Sequence, residues 1–293
     1  MGSQHREQCS REPLGTRNAR INRMVVNHPR QSLSALQAPI GVFDSGIGGL
    51  SVVRELRAAL PAESVLYFAD SAHCPYGTKE PEEIARRCHF VASTLLERGA
   101  KLLVVACNTA SAVAIHDLRA HYPVPIVGLE PAVKPAARMT KTGRIAVLAT
   151  PRTVASERLV RLVREHAAGV VVETIPAPGL VELVESGKVD GDEVKAALQP
   201  LVGPAVERGA DVIVLGCTHY PFLRDAIEAI TGPDVLVIDS GPAIARRTRE
   251  VLCERGLAAT ASHPGTLSLL TSGDAAWVGQ IAVSGFEPFC ARR

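Results

Sequence analysis

Short apolar runs alternate with amphipathic segments along the chain from Pro39 onward. Apolar runs of this kind predict strands buried on both faces, and apolar stripes at helical spacing predict helices. The predicted strands cover 40–43, 65–69, 124–127, 145–149, 170–175, 235–238 and 267–270, with two more that run up to Cys107 and Cys217. Predicted helices cover 111–121, 153–166, 180–185, 192–208 and 223–230. Another ends at about residue 60, and two more begin at Pro81 and at Asp274. Asp190 or Asp192 is the expected N-cap of the helix over 192–208. Alternating strands and helices are typical of βαβ units, so the fold class is predicted as α/β with parallel sheets.

One of these strand units occurs twice in the chain. The segment ERGAKLLVVACNTA at 97–110 matches ERGADVIVLGCTHY at 207–220, and the Glu, Arg, Gly, Ala and Cys recur at an offset of 110 residues. Residues at the carboxyl ends of strands in open α/β sheets line the ligand crevice. The repeat therefore predicts two pseudo-symmetric, doubly wound domains, with Cys107 and Cys217 at equivalent positions facing each other across a cleft.

The domain organisation follows from the repeat. The first α/β domain is predicted to be discontinuous, with residues 39–129 plus 239–293, and the second covers 130–238. Residues 1–38 lack sustained periodicity and are rich in Arg, Ser, Asn and Gln, which indicates a disordered or regulatory N-terminal extension.

Composition narrows the functional class. The chain has 293 residues, 46% hydrophobic and 21% charged, which predicts a sizeable core. Its net charge of +2 is too balanced to favour nucleic acid as a partner, and no apolar run has the length of a membrane span. Seven cysteines, an odd number in a chain large enough to fold without disulfides, indicate free thiols in a reducing cytoplasm.

A glycine-rich loop follows the first predicted strand. Gly46, Gly48 and Gly49, with Asp70 at the end of the next strand, resemble a dinucleotide fingerprint, but the third glycine of that motif would fall at Ser51. Asp44 beside the turn would also repel a pyrophosphate. A nicotinamide-dependent oxidoreductase is therefore disfavoured, and a tight structural turn is compatible with the loop.

The two repeated thiols carry the candidate chemistry. Each precedes a polar pair near a helix start, where thiolates are favoured, and Asp44 and His219 supply a carboxylate and an imidazole nearby. A disulfide switch and a zinc site made by Cys107, Cys217 and His219 are alternatives, although the zinc spacing is loose. Inversion at a carbon acid fits better, because it needs two similar groups in opposite protonation states on the two faces of a carbon.

Five segments resemble the glutamate racemases of the aspartate/glutamate racemase superfamily. They are GVFDSGIGGLSVVREL at 41–56, PYG at 75–77, VVACNTASA at 104–112, LVELVESG at 180–187 and VLGCTHYPFL at 214–223. The resemblance implies a cofactor-independent, PLP-free, two-base interconversion of L- and D-glutamate that supplies D-glutamate for bacterial peptidoglycan, and no metal is expected at the site.

The resemblance also implies the residue roles. Cys107 would act on D-glutamate with help from Asp44, and Cys217 on L-glutamate with help from His219, which Glu185 would orient. Substrate contacts would come from Asp44, Ser45, Tyr76, Gly77, Asn108, Thr109, Thr150, Thr153, Thr218 and His219. The chain departs from the family pattern at Pro151-Arg152, inside the TxxT motif, and at Arg158, where a tyrosine is common. Cys74 is expected to line the pocket entrance without acting.

Other functions remain open at this stage. An aspartate racemase differs by one methylene in the substrate, worth only ~1–3 kcal/mol of discrimination. A thiol redox or zinc protein is the alternative from another class. The resemblance implies a homodimer, and it offers DNA gyrase as a hypothesis for a second partner, because some glutamate racemases are reported to inhibit that enzyme.

Overall fold

Two β-sheets form the framework of the protein, seen in a computed structural model that describes residues 22–24, 36–260 and 264–283. Their strands, in chain order, are β1 (Asn22–Met24), β2 (Ile40–Asp44), β3 (Val65–Ala69), β4 (Leu102–Val105), β5 (Ile126–Gly128), β6 (Arg144–Ala149), β7 (Val171–Pro176), β8 (Val212–Leu215), β9 (Leu236–Asp239) and β10 (Leu267–Thr271). The strand order is β1-β10-β3-β2-β4-β5 in the first sheet and β7-β6-β8-β9 in the second. Every pairing is parallel except that of β1 with β10. The predicted α/β class with two parallel sheets is confirmed.

The sequence repeat is a structural repeat. The order β3-β2-β4-β5 in the first sheet corresponds to β7-β6-β8-β9 in the second. Strands β4 and β8 begin at Leu102 and Val212, and β5 and β9 begin at Ile126 and Leu236, so both pairs keep the offset of 110 residues. The two thiols consequently follow topologically equivalent strands.

Eleven α-helices connect the strands within the described residues. They are α1 (Leu50–Ala59), α2 (Pro81–Glu97), α3 (Asn108–His121), α4 (Val133–Met139), α5 (Pro151–Val154), α6 (Glu157–His166), α7 (Leu180–Glu185), α8 (Asp192–Glu207), α9 (Arg224–Thr231), α10 (Gly241–Glu254) and α11 (Ala275–Val283). Short 3₁₀ helices cover Ser71–His73, Tyr76–Thr78 and Tyr220–Leu223. None of the helices that the structure describes is long and apolar enough to cross a membrane.

Two details of the predicted helices are wrong. The single helix predicted over 153–166 is two helices, because Ser156 caps α6 by accepting a hydrogen bond from the amide of Leu159 at 3.2 Å. The N-cap of α8 is Gly191 with no side-chain cap, while Asp190 Oδ1 instead accepts from the Gly191 amide at 2.7 Å. Helices α4 and α10 were not predicted.

The strand β1 also lies where no element was predicted, within the proposed extension 1–38. The remainder of 1–35, and residues 284–293 of the proposed first domain, lie outside the described residues. The domain boundaries at 129/130 and 238/239 stay predictions, although β9 belongs to the second sheet and β10 returns to the first.

One hydrophobic core joins the two sheets. It runs from Ile40 and Val42 of β2 to Ile213 and Leu215 of β8, and it includes the side chain of Cys217. Separate clusters fill the space between each sheet and its other helices. Because packed interiors resist deformation, this shared core fixes the two sheets relative to each other and therefore fixes the loops at their carboxyl ends.

Candidate active site

Both repeated cysteines lie at the carboxyl ends of their strands. Cys107 follows β4 and is the N-cap of α3, and its Sγ accepts a hydrogen bond from the amide of Ala110 at 3.5 Å. Cys217 lies two residues beyond the end of β8. The two side chains are only 5% and 7% exposed. The strand-end placement expected from the sequence is therefore what the structure shows.

Asp44 belongs to the group around Cys107. Its Oδ2 accepts a hydrogen bond from Thr218 Oγ1 at 3.0 Å, and its Oδ1 accepts one from Ser45 Oγ at 3.5 Å. The Cys107 thiol in turn donates to Ser45 Oγ at 3.9 Å. Burial raises the pKa of the Asp44 carboxyl although His219, Cys107, Ser45 and Thr218 oppose the rise. Burial, and next the negative charge of Asp44, raises the pKa of Cys107, so this thiol holds its proton firmly.

His219 belongs to the group around Cys217. Its Nδ1 lies 3.7 Å from Cys217 Sγ, and its Nε2 lies 2.6 Å from Glu185 Oε1. Burial would lower the pKa of the imidazole, but hydrogen bonds with Cys217, Cys74 and Glu185 raise it well above its usual value. Burial would likewise raise the pKa of Glu185, yet the hydrogen bond with His219 and that from the Ile47 amide at 2.7 Å hold it below its usual value. His219 and Glu185 therefore form an imidazolium–carboxylate pair.

The glycine loop packs directly against these catalytic candidates. A Cβ at Gly46 would lie 1.9 Å from Glu185 Oε1, and one at Gly48 would lie 2.4 Å from His219 Nδ1. Neither glycine has a positive φ. The loop needs glycine because side chains approach its backbone, rather than because the turn needs a left-handed conformation.

Three threonines from the two halves meet at one point. Thr109 Oγ1 lies 2.9 Å from Thr150 Oγ1 and 3.3 Å from Thr153 Oγ1, and Thr150 Oγ1 donates to Thr153 Oγ1 at 3.0 Å. The loop at Gly77 contacts the same cluster, since a Cβ there would lie 2.9 Å from Thr150 Cβ. The structure thus brings four of the predicted substrate-binding residues together.

Tyr76 is placed differently from the other predicted substrate contacts. It is 1% exposed, and its hydroxyl donates to Asp70 Oδ2 at 2.6 Å. Asp70 also accepts from Arg87 at 2.6 and 2.9 Å and from Ser272 at 2.7 Å. The hydroxyl of Tyr76 is thereby engaged in holding the 75–77 loop.

Asn108 has unused hydrogen-bonding groups at the centre of the site. Its side chain is 5% exposed, and neither the Nδ2 nor the Oδ1 atom has a hydrogen-bond partner among the described residues. It lines two small adjoining cavities, one with Cys217 and Thr218 and the other with Thr153 and Arg158. Buried polar groups in proteins are normally paired, so this amide is available to a ligand.

Several residues around the cavities were not recognised from the sequence. Ser51, Asp239 and Ser240 line the first cavity. Ser51 Oγ donates to the carbonyls of Gly48 at 2.8 Å and Thr218 at 3.1 Å, so it ties the glycine loop to the second thiol loop. No sequence pattern distinguishes such a bridging serine from an ordinary helix residue.

One group of side chains has the spacing of metal ligands within the part of the chain that the structure describes. It consists of Cys74, Glu185 and His219, whose ligand atoms lie within 4.8 Å of one another. The zinc ligands considered from the sequence, Cys107 and Cys217 with His219, are not that group. All five cysteines among the described residues are free thiols.

Comparison with known proteins identifies relatives of this chain. The chain is 53% identical over 229 residues to the glutamate racemase of Pseudomonas paraeruginosa, covering 78% of this chain and 86% of that protein. It is 48% identical over 243 residues to the glutamate racemase of Herpetosiphon aurantiacus, covering 83% and 96%.

Solved structures give the same result. A crystal structure of a glutamate racemase isoform from Bacillus anthracis has a TM-score of 0.76 at 31% identity, covering 87% of this chain and 95% of that one. The Thermus thermophilus glutamate racemase in complex with β-chloro-D-alanine has a TM-score of 0.72 at 36% identity, covering 85% and 93%. The family model described as Asp/Glu/hydantoin racemase matches residues 40–248. The chain therefore belongs to the Asp/Glu/hydantoin racemase family.

Proposed function

We propose that this protein interconverts L- and D-glutamate by a two-base mechanism without a cofactor. The observation that carries the proposal is the placement of Cys107 and Cys217 after equivalent strands of the two sheets, each with its own proton-transfer partner. Asp44 accompanies Cys107 through Ser45, and the His219–Glu185 pair accompanies Cys217. Inversion at Cα requires a base on one face and an acid on the other, and this arrangement supplies both.

The protons balance in each direction. With L-glutamate, the Cys217 thiolate takes the Cα proton while the Cys107 thiol delivers its proton to the opposite face. Cys107 is then a thiolate and Cys217 a thiol, which is the state that accepts D-glutamate. The Nδ1 atom of His219 lies 3.7 Å from Cys217 Sγ, so the imidazole is placed to exchange a proton with that thiol.

Asp44 assists Cys107, the thiol that acts on D-glutamate. Its raised pKa keeps the carboxyl more readily protonated than an ordinary aspartate, so it can hydrogen-bond to the Cys107 thiolate instead of repelling it. The pKa values of Asp44 and His219 are both raised, which favours the protonated form of each, so each group can donate to the thiol beside it.

Substrate binding is proposed for the polar groups between the thiols. The hydroxyls of Thr109, Thr150 and Thr153 would hold a carboxylate, and the amide of Asn108 would bind a polar group of the substrate. Ser45, Thr218 and the 76–77 loop surround the same space. Donors placed there would offset the negative charge that develops when Cα is deprotonated.

Glutamate is proposed as the substrate, rather than aspartate, because of the proteins that this chain is similar to in sequence. The curated relatives that share about half of their residues with this chain are glutamate racemases. The Escherichia coli glutamate racemase, 35% identical with a TM-score of 0.69, has been crystallised with L-glutamate and the activator UDP-MurNAc-ala. A role in supplying D-glutamate for peptidoglycan, a cytoplasmic location and a homodimeric assembly are part of the proposal.

The test is a racemisation assay on the purified chain with no added cofactor. Circular dichroism should show L- and D-glutamate converging to zero ellipticity, with aspartate converted far more slowly. Faster conversion of aspartate would retain the chemistry and replace the substrate. No conversion of either amino acid would refute the proposed function.

A further inference from the structure

Cys74 is a thiol beside the active site that the proposed mechanism does not use. It is half-buried, and its Sγ lies 4.0 Å from Ser45 Oγ. Burial raises the pKa of this thiol to about 11, so it is a poor base at neutral pH. Cys74 lies close to two other groups that can bind metal ions, the carboxylate of Glu185 and the imidazole of His219.

These three side chains offer one sulfur, one oxygen and one nitrogen within 4.8 Å of one another. A Cβ added at Gly46 would lie 1.9 Å from Glu185 Oε1 and 3.0 Å from Cys74 Sγ. Both side chains therefore approach the same point of the glycine loop. Tetrahedral zinc with donors at ~2.0–2.3 Å keeps its ligand atoms more than about 3 Å apart. His219 Nε2 and Glu185 Oε1, now 2.6 Å apart, would have to separate to bind the same ion.

An ion can also reach the site. Glu185 keeps 18% of its side chain exposed, and Cys74 is likewise only partly buried, whereas His219 is 1% exposed. The carboxylate and the thiol therefore form the outer side of the cluster, and the imidazole forms its floor. Three protein donors and one open position are the coordination found in catalytic zinc sites.

We propose that Cys74, Glu185 and His219 bind Zn²⁺, and that the bound ion inhibits the enzyme. Zinc would take the imidazole nitrogen and carboxylate that now share a hydrogen bond of 2.6 Å. The inhibitory consequence rests on the proposed function, because it assumes that His219 assists Cys217. The metal-binding step does not depend on it.

The exchange is balanced in protons. Binding replaces the proton between His219 and Glu185 and the proton on the Cys74 thiol, and both protons leave to solvent. The proton on Nδ1 of His219, which faces Cys217 Sγ at 3.7 Å, stays in place, so inhibition would come from the fixed position of the ring and not from loss of that proton. The ion would hold the imidazole in one position and engage the carboxylate that now orients it, so proton transfer at Cys217 should slow.

The first experiment measures binding directly. The full chain is titrated with Zn²⁺ in competition with a chromophoric chelator, for wild type, Cys74→Ala and the control Cys253→Ala. Cys253 is an exposed thiol on α10, away from the site. Removing a direct ligand should cost at least the ~10-fold in affinity that is lost when an outer partner of a metal ligand is removed.

The expected result is one Zn²⁺ per chain whose affinity falls at least tenfold in Cys74→Ala and is unchanged in Cys253→Ala. Co²⁺ should give a thiolate charge-transfer absorption that disappears only in Cys74→Ala. Equal affinity of wild type and Cys74→Ala would overturn the site. Loss of binding in Cys217→Ala with retention in Cys74→Ala would also overturn it, because the ion would then be held on the other side of the imidazole.

The second experiment measures inhibition. With each protein measured against its own rate in the absence of metal, Cys74→Ala should require at least tenfold more Zn²⁺ than wild type for half-inhibition. Equal sensitivity of the two proteins would contradict an inhibitory role for this site. A chain that binds zinc through Cys74 but never racemises glutamate would refute the proposed function and leave the metal site standing.

Discussion

Thr218 Oγ1 donates a hydrogen bond to Asp44 Oδ2 at 3.0 Å, and this bond joins the two halves of the protein. Asp44 ends β2 of the first sheet, whereas Thr218 follows β8 of the second. Both side chains are buried, at 0% and 4% exposure. The carboxylate that accompanies one thiol is thus held by the residue next to the other thiol, so the two proton-transfer groups are structurally linked.

Removing this bond should destabilise the protein. In Thr218→Val, Asp44 Oδ2 loses its partner while remaining buried, which should cost ~1–3 kcal/mol of unfolding free energy. The pKa of Asp44 should rise further, because Thr218 is one of the groups that now oppose the rise. Urea denaturation measures the first effect.

A matched control is Thr142→Val. Thr142 Oγ1 donates to the carbonyl of Gly209 at 2.8 Å, but this bond is exposed and water can replace it. If Thr218→Val and Thr142→Val lost equal unfolding free energy, the hydrogen bond between Thr218 and Asp44 would stabilise the protein no more than an exposed hydrogen bond does.

The two thiols should have separable roles. Cys107→Ser and Cys217→Ser should each lower racemisation by ~10²–10⁴-fold, because a hydroxyl is a far weaker base than a thiolate. With a substrate that carries a β leaving group, elimination needs only one base, so each variant should still act on one enantiomer. We expect Cys217→Ser to retain elimination from the D-enantiomer and Cys107→Ser from the L-enantiomer.

Enantiomer-resolved product analysis checks this pattern. Cys88→Ser is unsuitable as a control because the side chain is fully buried, whereas Cys253→Ser removes an exposed thiol and should leave both reactions unchanged. A Cys217→Ser protein that still racemises at the wild-type rate would contradict the two-base mechanism.

The partnership of Glu185 with His219 predicts a change in pH dependence. The carboxylate helps to hold the pKa of His219 well above its usual value, so the imidazolium persists at higher pH. Glu185→Gln removes that negative charge and should lower the pKa of His219. The alkaline limb of kcat/KM for L-glutamate should therefore move to lower pH, with a smaller effect for D-glutamate.

Stability should show the same linkage. The pKa of His219 is higher in the folded than in the unfolded chain, so the stabilisation is complete below the unfolded value of about 6.5 and is lost as pH rises through the folded value. Wild type should lose unfolding free energy over that alkaline range, and Glu185→Gln should lose less. Identical pH profiles of activity and stability would mean that Glu185 does not act on His219.

Gly48 should be intolerant of a side chain. A methyl group in Gly48→Ala would lie 2.4 Å from His219 Nδ1 and would push the imidazole away from Cys217. Activity from L-glutamate should fall by at least tenfold if proton transfer depends on this contact. Steady-state kinetics and a crystal structure of the variant would check both the rate and the displacement.

Gly203→Ala is the matched control. Gly203 lies in α8, and the atom that a new methyl would meet is the flexible end of Gln199 at 2.7 Å. Because alanine favours helix over glycine by ~0.5–1 kcal/mol, this variant should be active and no less stable. If Gly48→Ala were equally active, the close approach of the loop to His219 would be irrelevant to catalysis.

The strands and the equivalent positions of the two thiols could be predicted because each depends on a short, continuous stretch of sequence. Apolar runs identify the buried strands, and the repeat around Cys107 and Cys217 is visible as identical residues at a fixed offset. The break between α5 and α6 escaped prediction because one serine cap interrupts an otherwise continuous apolar stripe. Local pattern therefore sets the framework, with errors at helix ends.

The contacts between distant segments could not be read from pattern alone. Glu185 reaches His219 from 34 positions earlier in the chain, and Thr109 meets Thr150 across 41 positions. Glu185, Thr150 and Thr153 were proposed only through the family resemblance. The proximity of Cys74 to His219 and Glu185 had no sequence signal, since it depends on how the 71–78 loop folds over the glycine loop.

Solvent deuterium incorporation at Cα tests the two-base account most directly. The reaction is run in D₂O from L- and D-glutamate separately, and NMR follows the label in product and in recovered substrate. A thiol carries a single proton, so the account predicts deuterium in the early product from both directions while the remaining substrate stays protiated. Deuterium entering the recovered substrate as fast as the product, or product that retains the original proton, would show that one base serves both faces and would contradict the account.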